Sequence, residues 1–442
     1  MSALKSFWYN SVNNLEVFYS MKKTKQNAIY AQSGGVTAVI NASAAGVINA
    51  CRQYSDQIGT LYAGSNGILG VLNEELIDTT LESQAVIDAL RHTPGGAFGS
   101  CRYKLKSLEQ NRREYERLIE VFAAYDIGYF FYNGGNDSAD TCLKVSQIAE
   151  EMGYPIHAIH IPKTIDNDLV VTDNCPGFGS VAKYVATSIR EAGFDLESMH
   201  KTSTKVFILE VMGRNAGWIA AACGVASESE EQPPHIILFP EITFDEDGFI
   251  QKVKHSVDNY GYCVIAVSEG LKDRYGMELS ASQHTVDDFG HHQLGGVAPV
   301  IAGIIKKRLG YKYHWAVADY LQRAARHIAS AVDVEQAYAL GFKGVEMALA
   351  GANAVMPYIK RISTTPYQWS IEQVALTKVA NKEKFMPRDF ISEDGFHIAA
   401  PCREYILPLI EGEDYPPYKN GLPDYVRLNK QHVAKKLKEF NQ

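Results

Sequence analysis

The densest grouping of side chains able to do chemistry is Pro162-Lys163-Thr164-Ile165-Asp166-Asn167-Asp168. Two carboxylates two residues apart, a lysine and a hydroxyl directly follow an apolar run, Ile156–Ile161, that reads as a strand. One carboxylate so placed can take a hydroxyl proton as a general base, and the other can hold a metal. The ammonium beside them can neutralise charge on a phosphoryl group in transfer. The same residues would also fit an acidic surface turn.

Five further segments carry groups able to bind phosphate, metal or sugar, four of them at the end of an expected strand. Gln32-Ser33-Gly34-Gly35 closes one strand and opens a helix, so its backbone N–H groups can approach an anion where the helix adds positive potential. Asn133-Gly134-Gly135-Asn136-Asp137-Ser138 suits a phosphate chain and a Mg²⁺ ion, which prefers oxygen ligands, or simply a turn with a helix cap. Glu210-Val211-Met212-Gly213-Arg214-Asn215-Ala216-Gly217-Trp218 offers an arginine for a sugar phosphate, or a capped helix with a surface arginine. Val267-Ser268-Glu269-Gly270 carries a carboxylate suited to sugar hydroxyls. In Tyr320-Leu321-Gln322-Arg323 an arginine could bind phosphate.

These groups need a scaffold, and the chain alternates short apolar runs with helical periodicity from Asn27 onward, the pattern of a parallel α/β sheet. Strands are expected at 27–32, 128–132, 156–161, 205–211, 235–239 and 262–268. Helices are expected at 39–54, 111–124 and 180–193. In open α/β sheets ligands bind beyond the carboxyl ends of the strands, where these Gly, Asp and Lys clusters fall. At 442 residues with 46% hydrophobic and 21% charged residues, the chain suits a globular protein of two or three domains. A net charge of -8 argues against general nucleic-acid binding, and no apolar run is long enough for a membrane helix. Seven scattered cysteines without CxxC spacing read as reduced thiols of a cytoplasmic protein. Residues 1–26 read as an extension without the apolar core of a secretory signal. After Ala375 the text turns Pro- and Tyr-rich and ends in the basic run Lys435-Lys436-Leu437-Lys438, expected as an irregular extension closed by a terminal helix.

In their order along the chain, SGG, GGND, PKTIDND, EVMGRNAGW, SEG and YLQR resemble the phosphofructokinase family over about residues 27 to 360. Within it the similarity is to the pyrophosphate-dependent branch. Related kinases with a GGDG-like loop would not also supply TIDND and MGR. ATP-using members have glycine where this chain has Asp137, and PGTIDND where it has Lys163. Like unit charges about 4 Å apart cost about 1 kcal/mol in water and about 4 kcal/mol at an effective dielectric of 20. The larger figure is close to a thousandfold in affinity. A carboxylate at 137 thus disfavours the α-phosphate of ATP, while pyrophosphate has no such group.

The resemblance implies two Rossmann-like three-layer α/β domains with parallel-rich central sheets and an active site in the cleft between them. Residues 27–177 plus 324–375 would form the pyrophosphate-binding domain, 178–323 the fructose 6-phosphate-binding domain, and 376–442 a C-terminal extension packing on both. Asp166 would be the general base on the 1-hydroxyl of fructose 6-phosphate, Lys163 would stabilise the transition state, and Gly35 would contact pyrophosphate. Thr164, Ile165, Met212, Gly213, Arg214 and Glu269 would line the sugar site. Arg323 would hold the 6-phosphate, with Tyr320, Leu321 and Gln322 beside it in the substrate site, although Tyr320 stands where the family commonly has histidine. Lys205, where many members have arginine, would reach a neighbouring copy's sugar phosphate in a homodimer or homotetramer. Asn136 and Asp168 would hold Mg²⁺, with an amide in place of the usual carboxylate at 136. The rival expectations are an ATP-dependent enzyme, activity on sedoheptulose 7-phosphate, or a non-catalytic regulatory subunit that keeps the fold.

Overall fold

The computed structural model describes residues 25–440, apart from Lys104, Ser280, 287–291 and Gly295. The expected N-terminal extension therefore lies almost wholly outside the described residues. Two separate sheets organise the chain.

The first is built from β1 (Gln26–Gln32), β2 (Ile58–Gly64), β3 (Leu76–Asp78), β4 (Ile127–Gly134), β5 (His157–Pro162), β12 (Val355–Thr364) and β13 (Tyr367–Ala375). Their order is β13-β12-β5-β4-β1-β2-β3, parallel through the middle and antiparallel at the two outer pairs. The second sheet has the order β11-β6-β8-β7 and is wholly parallel. Its strands are β6 (Val206–Val211), β7 (Ile236–Leu238), β8 (Cys263–Ser268) and β11 (Tyr313–Val317). Between β8 and β11, β9 (Ala281–Val286) and β10 (His292–Leu294) form a small antiparallel ribbon.

The longer helices are α1 (Ile40–Gln53), α2 (Arg112–Ala124), α3 (Asn136–Glu151), α4 (Phe178–Met199), α5 (Trp218–Cys223), α6 (Glu246–Tyr260), α7 (Val297–Leu309), α8 (Asp319–Ala324), α9 (Ala331–Leu349) and α10 (Ala400–Ile406). They cover both faces of each sheet, as the alternation of side chains along a strand requires. Ile29, Ala31, Phe130, Tyr132 and Ala158 pack with α2 and α3, whereas Ala28, Tyr30, Tyr129, Phe131 and Ile159 pack with α1 and α9. In the second sheet Val206, Ile208 and Ile265 face α6 and α7, while Leu209, Val211 and Val264 face α4 and α5. Truncating one such buried aromatic, Phe130 for example, would cost about 3–5 kcal/mol.

Register brings the strand ends together. Gln32 pairs with Asn133, and Gly134 with Pro162. Val211 pairs with Ser268, and Val317 with Glu210. The loops that follow β1, β4 and β5 therefore leave one sheet side by side, and those after β6, β8 and β11 leave the other.

The expected strands and helices are found with bounds moved by one or two residues, except the helix at 180–193, which runs from Phe178 to Met199. The terminal helix is not formed. Instead the last residues run extended along the edge strand β3, where Val433 N–H donates to the Leu76 carbonyl at 2.9 Å and Asp78 N–H to the Gln431 carbonyl at 3.3 Å. Buried Glu74 accepts the Lys436 N–H at 2.7 Å and pairs with buried Arg117 at 2.9 Å. An open sheet edge and a buried carboxylate offer the tail's N–H groups better partners than a lone basic helix would. All seven cysteines are free thiols, six of them buried. No helix among the described residues is long and apolar enough to cross a membrane.

Candidate active site

The converging strand ends open into one cleft of about 1360 Å³. Of the residues singled out in the sequence, the cleft is lined by Gly35, Asn136, Asp137, Lys163, Thr164, Ile165, Asp166, Asp168, Met212, Arg214, Glu269, Tyr320, Gln322 and Arg323. Gly213 lies just behind the wall, its N–H donating to Glu269 Oε1 at 3.3 Å. Leu321 points outward and is 67% exposed. Lys205 sits at the opposite end of β6 from the cleft, its N–H donating to the Lys312 carbonyl at 2.9 Å.

The β1 loop and the β5 loop meet over a buried cation. Lys163 is only 4% exposed, and its Nζ donates to the Gly35 carbonyl at 2.6 Å. Gly34 takes φ +73°, a conformation that favours glycine, and carries the turn past that ammonium. At Gly35 a Cβ would lie 2.6 Å from Arg323 Nη1, so glycine lets the arginine of the second half approach the loop of the first without the guanidinium having to shift. Burial, reinforced by Arg323, lowers the Lys163 pKa from 10.5 to about 8. Arg323 is stacked on the Tyr320 ring at 3.9 Å from its centroid. Arg102 joins this cationic corner, its Nη2 3.8 Å from where a Cβ on Gly35 would lie. Sequence reading missed it; the only signal was an arginine close behind Gly95-Gly96.

Across from these cations lie the carboxylates. Asn167 takes φ +55°, which turns the loop so that Asp166 and Asp168, on either side of it, both line the cleft. Asn167 is held there by its own amide, whose Oδ1 accepts the Cys175 N–H at 3.0 Å and whose Nδ2 donates to the Tyr405 hydroxyl at 2.9 Å. Burial first, then the charges of Asp168 and Glu269, push the Asp166 carboxyl above the ordinary carboxylate range. Burial raises Asp168 and Glu269 in the same direction. Asp168 Oδ1 is buried with no hydrogen-bond partner, an arrangement that suits a hard cation. Among the described residues no three acidic, His or Cys side chains cluster as a complete metal cage. Mg²⁺ typically takes one or two carboxylates and completes its shell with water and substrate phosphates, so the residues present fit it.

Asn136 opens α3, but its amide is engaged on both sides by a distant segment: Oδ1 accepts the Asn381 N–H at 2.8 Å and Nδ2 donates to the Lys382 carbonyl at 2.6 Å. Asn381, Glu383 and Phe385 of that segment line the cleft as well, unforeseen in the sequence because no motif marks them.

The chain resembles known proteins over most of its length. The family model described as phosphofructokinase matches residues 27–348. A protein of Halomonas elongata named pyrophosphate--fructose 6-phosphate 1-phosphotransferase is 65% identical over 94% of this chain and 99% of its own length. One of the same name from Methylococcus capsulatus is 66% identical over 93% of this chain and 98% of its own length. The crystal structure of a pyrophosphate-dependent phosphofructokinase from Nitrosospira multiformis superposes with a TM-score of 0.87 at 64% identity, covering 94% of this chain and all of that one.

Proposed function

The chain belongs to the phosphofructokinase family, and from that premise we propose that it transfers a phosphoryl group reversibly from inorganic pyrophosphate to the 1-hydroxyl of fructose 6-phosphate. The observation that carries this reading is the donor corner itself. A buried ammonium, Lys163, bonds the Gly35 carbonyl at 2.6 Å, while Asp137 stands in the first turn of the helix that the donor must approach. A short, highly charged anhydride gains from the ammonium, and a nucleotide would bring a further phosphate toward the carboxylate.

Asp166 takes the proton of the 1-hydroxyl, and the resulting alkoxide oxygen bonds to the nearer phosphorus of pyrophosphate. The bridging P–O bond breaks, its electron pair leaves with orthophosphate, and fructose 1,6-bisphosphate remains. A raised pKa suits Asp166 to this task, because a base works best when its pKa lies near the working pH. Lys163, with Arg102 near it, stabilises the charge on the transferring group. Asp168, with Asp137, would hold Mg²⁺, which when bound neutralises the phosphate oxygens. Arg214, Met212, Gly213, Glu269, Thr164 and Ile165 orient the sugar, and Arg323 with its short helix holds the 6-phosphate. Pyrophosphate thus belongs to the half built on 27–177 and 324–375, and the sugar to 178–323. In a homodimer or homotetramer of this cytoplasmic enzyme, Lys205 would serve a neighbouring copy's cleft.

The test is turnover of fructose 6-phosphate with Mg²⁺ and either donor. Rapid turnover with pyrophosphate and negligible turnover with ATP is expected; preference for ATP would overturn the donor assignment.

A further inference from the structure

The two bonds from the Asn136 amide to the chain at 381–382 join the donor loop to the C-terminal extension. An aspartate of the same shape could accept the Asn381 N–H but could not donate to the Lys382 carbonyl. Further along the same helix, Asp140 Oδ1 accepts from Asn381 Nδ2 at 2.9 Å, so the segment lies against the first turns of α3.

Its other side is pinned to the catalytic loop. Lys384 N–H donates to the Asp168 carbonyl at 2.7 Å, and Glu383 bridges Leu169. The Lys384 ammonium donates to Asn167 Oδ1 at 3.3 Å and to the carbonyls of Thr172 and Asp173 at 3.2 and 2.9 Å. Trp218 Nε1 donates to the Lys384 carbonyl at 3.2 Å, and Asn215 Nδ2 donates to Glu383 Oε1 at 3.2 Å. A segment bonded along both edges, partly through a charged donor, is a preformed wall and not a lid.

We propose that residues 381–385 are a fixed wall that limits the length of the phosphoryl donor, and that Asn136 is the clamp holding it in place. This rests on the reading of the cleft as a pyrophosphate site. The wall flanks the helix N-terminus that attracts the donor's outer phosphate, and it adds the Glu383 carboxylate to that of Asp137 in the cleft lining. Pyrophosphate fits inside it. A third linked phosphate must run along the wall, past both carboxylates.

Asn136→Asp separates the wall from a simple metal role. If Asn136 only ligates metal, a carboxylate there strengthens Mg²⁺ binding and leaves residues 381–385 untouched. Because an aspartate keeps the Asn381 N–H bonded but repels the Lys382 carbonyl, the wall instead predicts at least tenfold faster hydrogen exchange of the Lys384 amide, which is bonded to the Asp168 carbonyl, and an inhibition constant for linear tripolyphosphate, relative to the pyrophosphate KM, lowered at least tenfold. Asn381→Ala, which keeps both Asn136 bonds and removes only the side-chain bond to Asp140, should shift the tripolyphosphate ratio in the same direction by a smaller factor. Unchanged exchange in Asn136→Asp, or an unchanged ratio in both variants, overturns the wall. Turnover of the unmodified protein with pyrophosphate is read alongside. Its absence overturns the wall together with the site reading, whereas a failure confined to the variants overturns the wall alone.

Discussion

Lys163→Met should cost the enzyme most of its rate and make the protein more stable. The fall of the Lys163 pKa from 10.5 to about 8 corresponds to about 3 kcal/mol surrendered at pH 7 to keep a buried ammonium charged in the folded state. The folded pKa lies below the unfolded one, so this penalty is full below pH 8 and fades as pH rises from about 8 to 10.5. Methionine fills nearly the same volume without the charge, and the hydrogen bond from the ammonium to the Gly35 carbonyl is worth about 1–2 kcal/mol of that. A net gain of about 1–2 kcal/mol at pH 7 is expected, read by urea unfolding, with the gap to the wild type closing toward pH 10. Removing a preorganised cation from the transferring phosphoryl group should lower kcat with pyrophosphate by about 10²–10³-fold. Two pH effects follow. The alkaline fall of the rate, centred near the Lys163 pKa of about 8, should vanish. The acid limb should move to higher pH, because a cation that lowers the Asp166 pKa is gone. A destabilised variant, or one that keeps more than a tenth of the wild-type kcat, would refute the reasoning.

Asp166→Asn should lower kcat by about 10²–10⁴-fold with little change in the KM for fructose 6-phosphate. In the wild type, kcat/KM should fall as pH drops through a limb well above the ordinary carboxylate range, because burial raises Asp166 and the base must be ionised; a limb near pH 4 would contradict the burial argument. Asp168→Asn replaces the orphaned carboxylate oxygen by a neutral ligand, so the Mg²⁺ needed for half-maximal rate should rise at least tenfold, and chelation with EDTA should stop the wild type altogether.

The fold and the site were unequally legible. The strands of the two parallel cores announce themselves as apolar runs ending in Gly, Asp or Lys, as in Ile156–Ile161 before Pro162-Lys163-Thr164, because a strand buried on both faces has little freedom in composition. The hairpin of β12 and β13 was not foreseen, since its alternating, half-exposed residues (Lys360, Arg361, Glu372) do not read as a core strand. The tail was misread as a helix because Glu74, which captures it, lies more than 350 residues away in sequence. Likewise the sequence offered Asn136 only as a metal position or part of a helix-capping turn, for its partners at 381–382 are joined to it by tertiary folding alone. Arg102 gave almost no signal, as one arginine in a loop looks like any other until Gly35 is seen beside it. Lys205 lies away from the cleft of its own chain, a placement that one sequence cannot show.

The central claim is that charge at position 137 decides between an anhydride of two phosphates and a nucleotide. Turnover of Asp137→Gly with ATP and with pyrophosphate addresses it most directly. Relief of about 4 kcal/mol of repulsion sets a ceiling near a thousandfold, lowered by the wall at 381–385 that remains. We expect kcat/KM for ATP to rise at least tenfold while that for pyrophosphate falls; an unchanged preference for pyrophosphate over ATP would contradict the account.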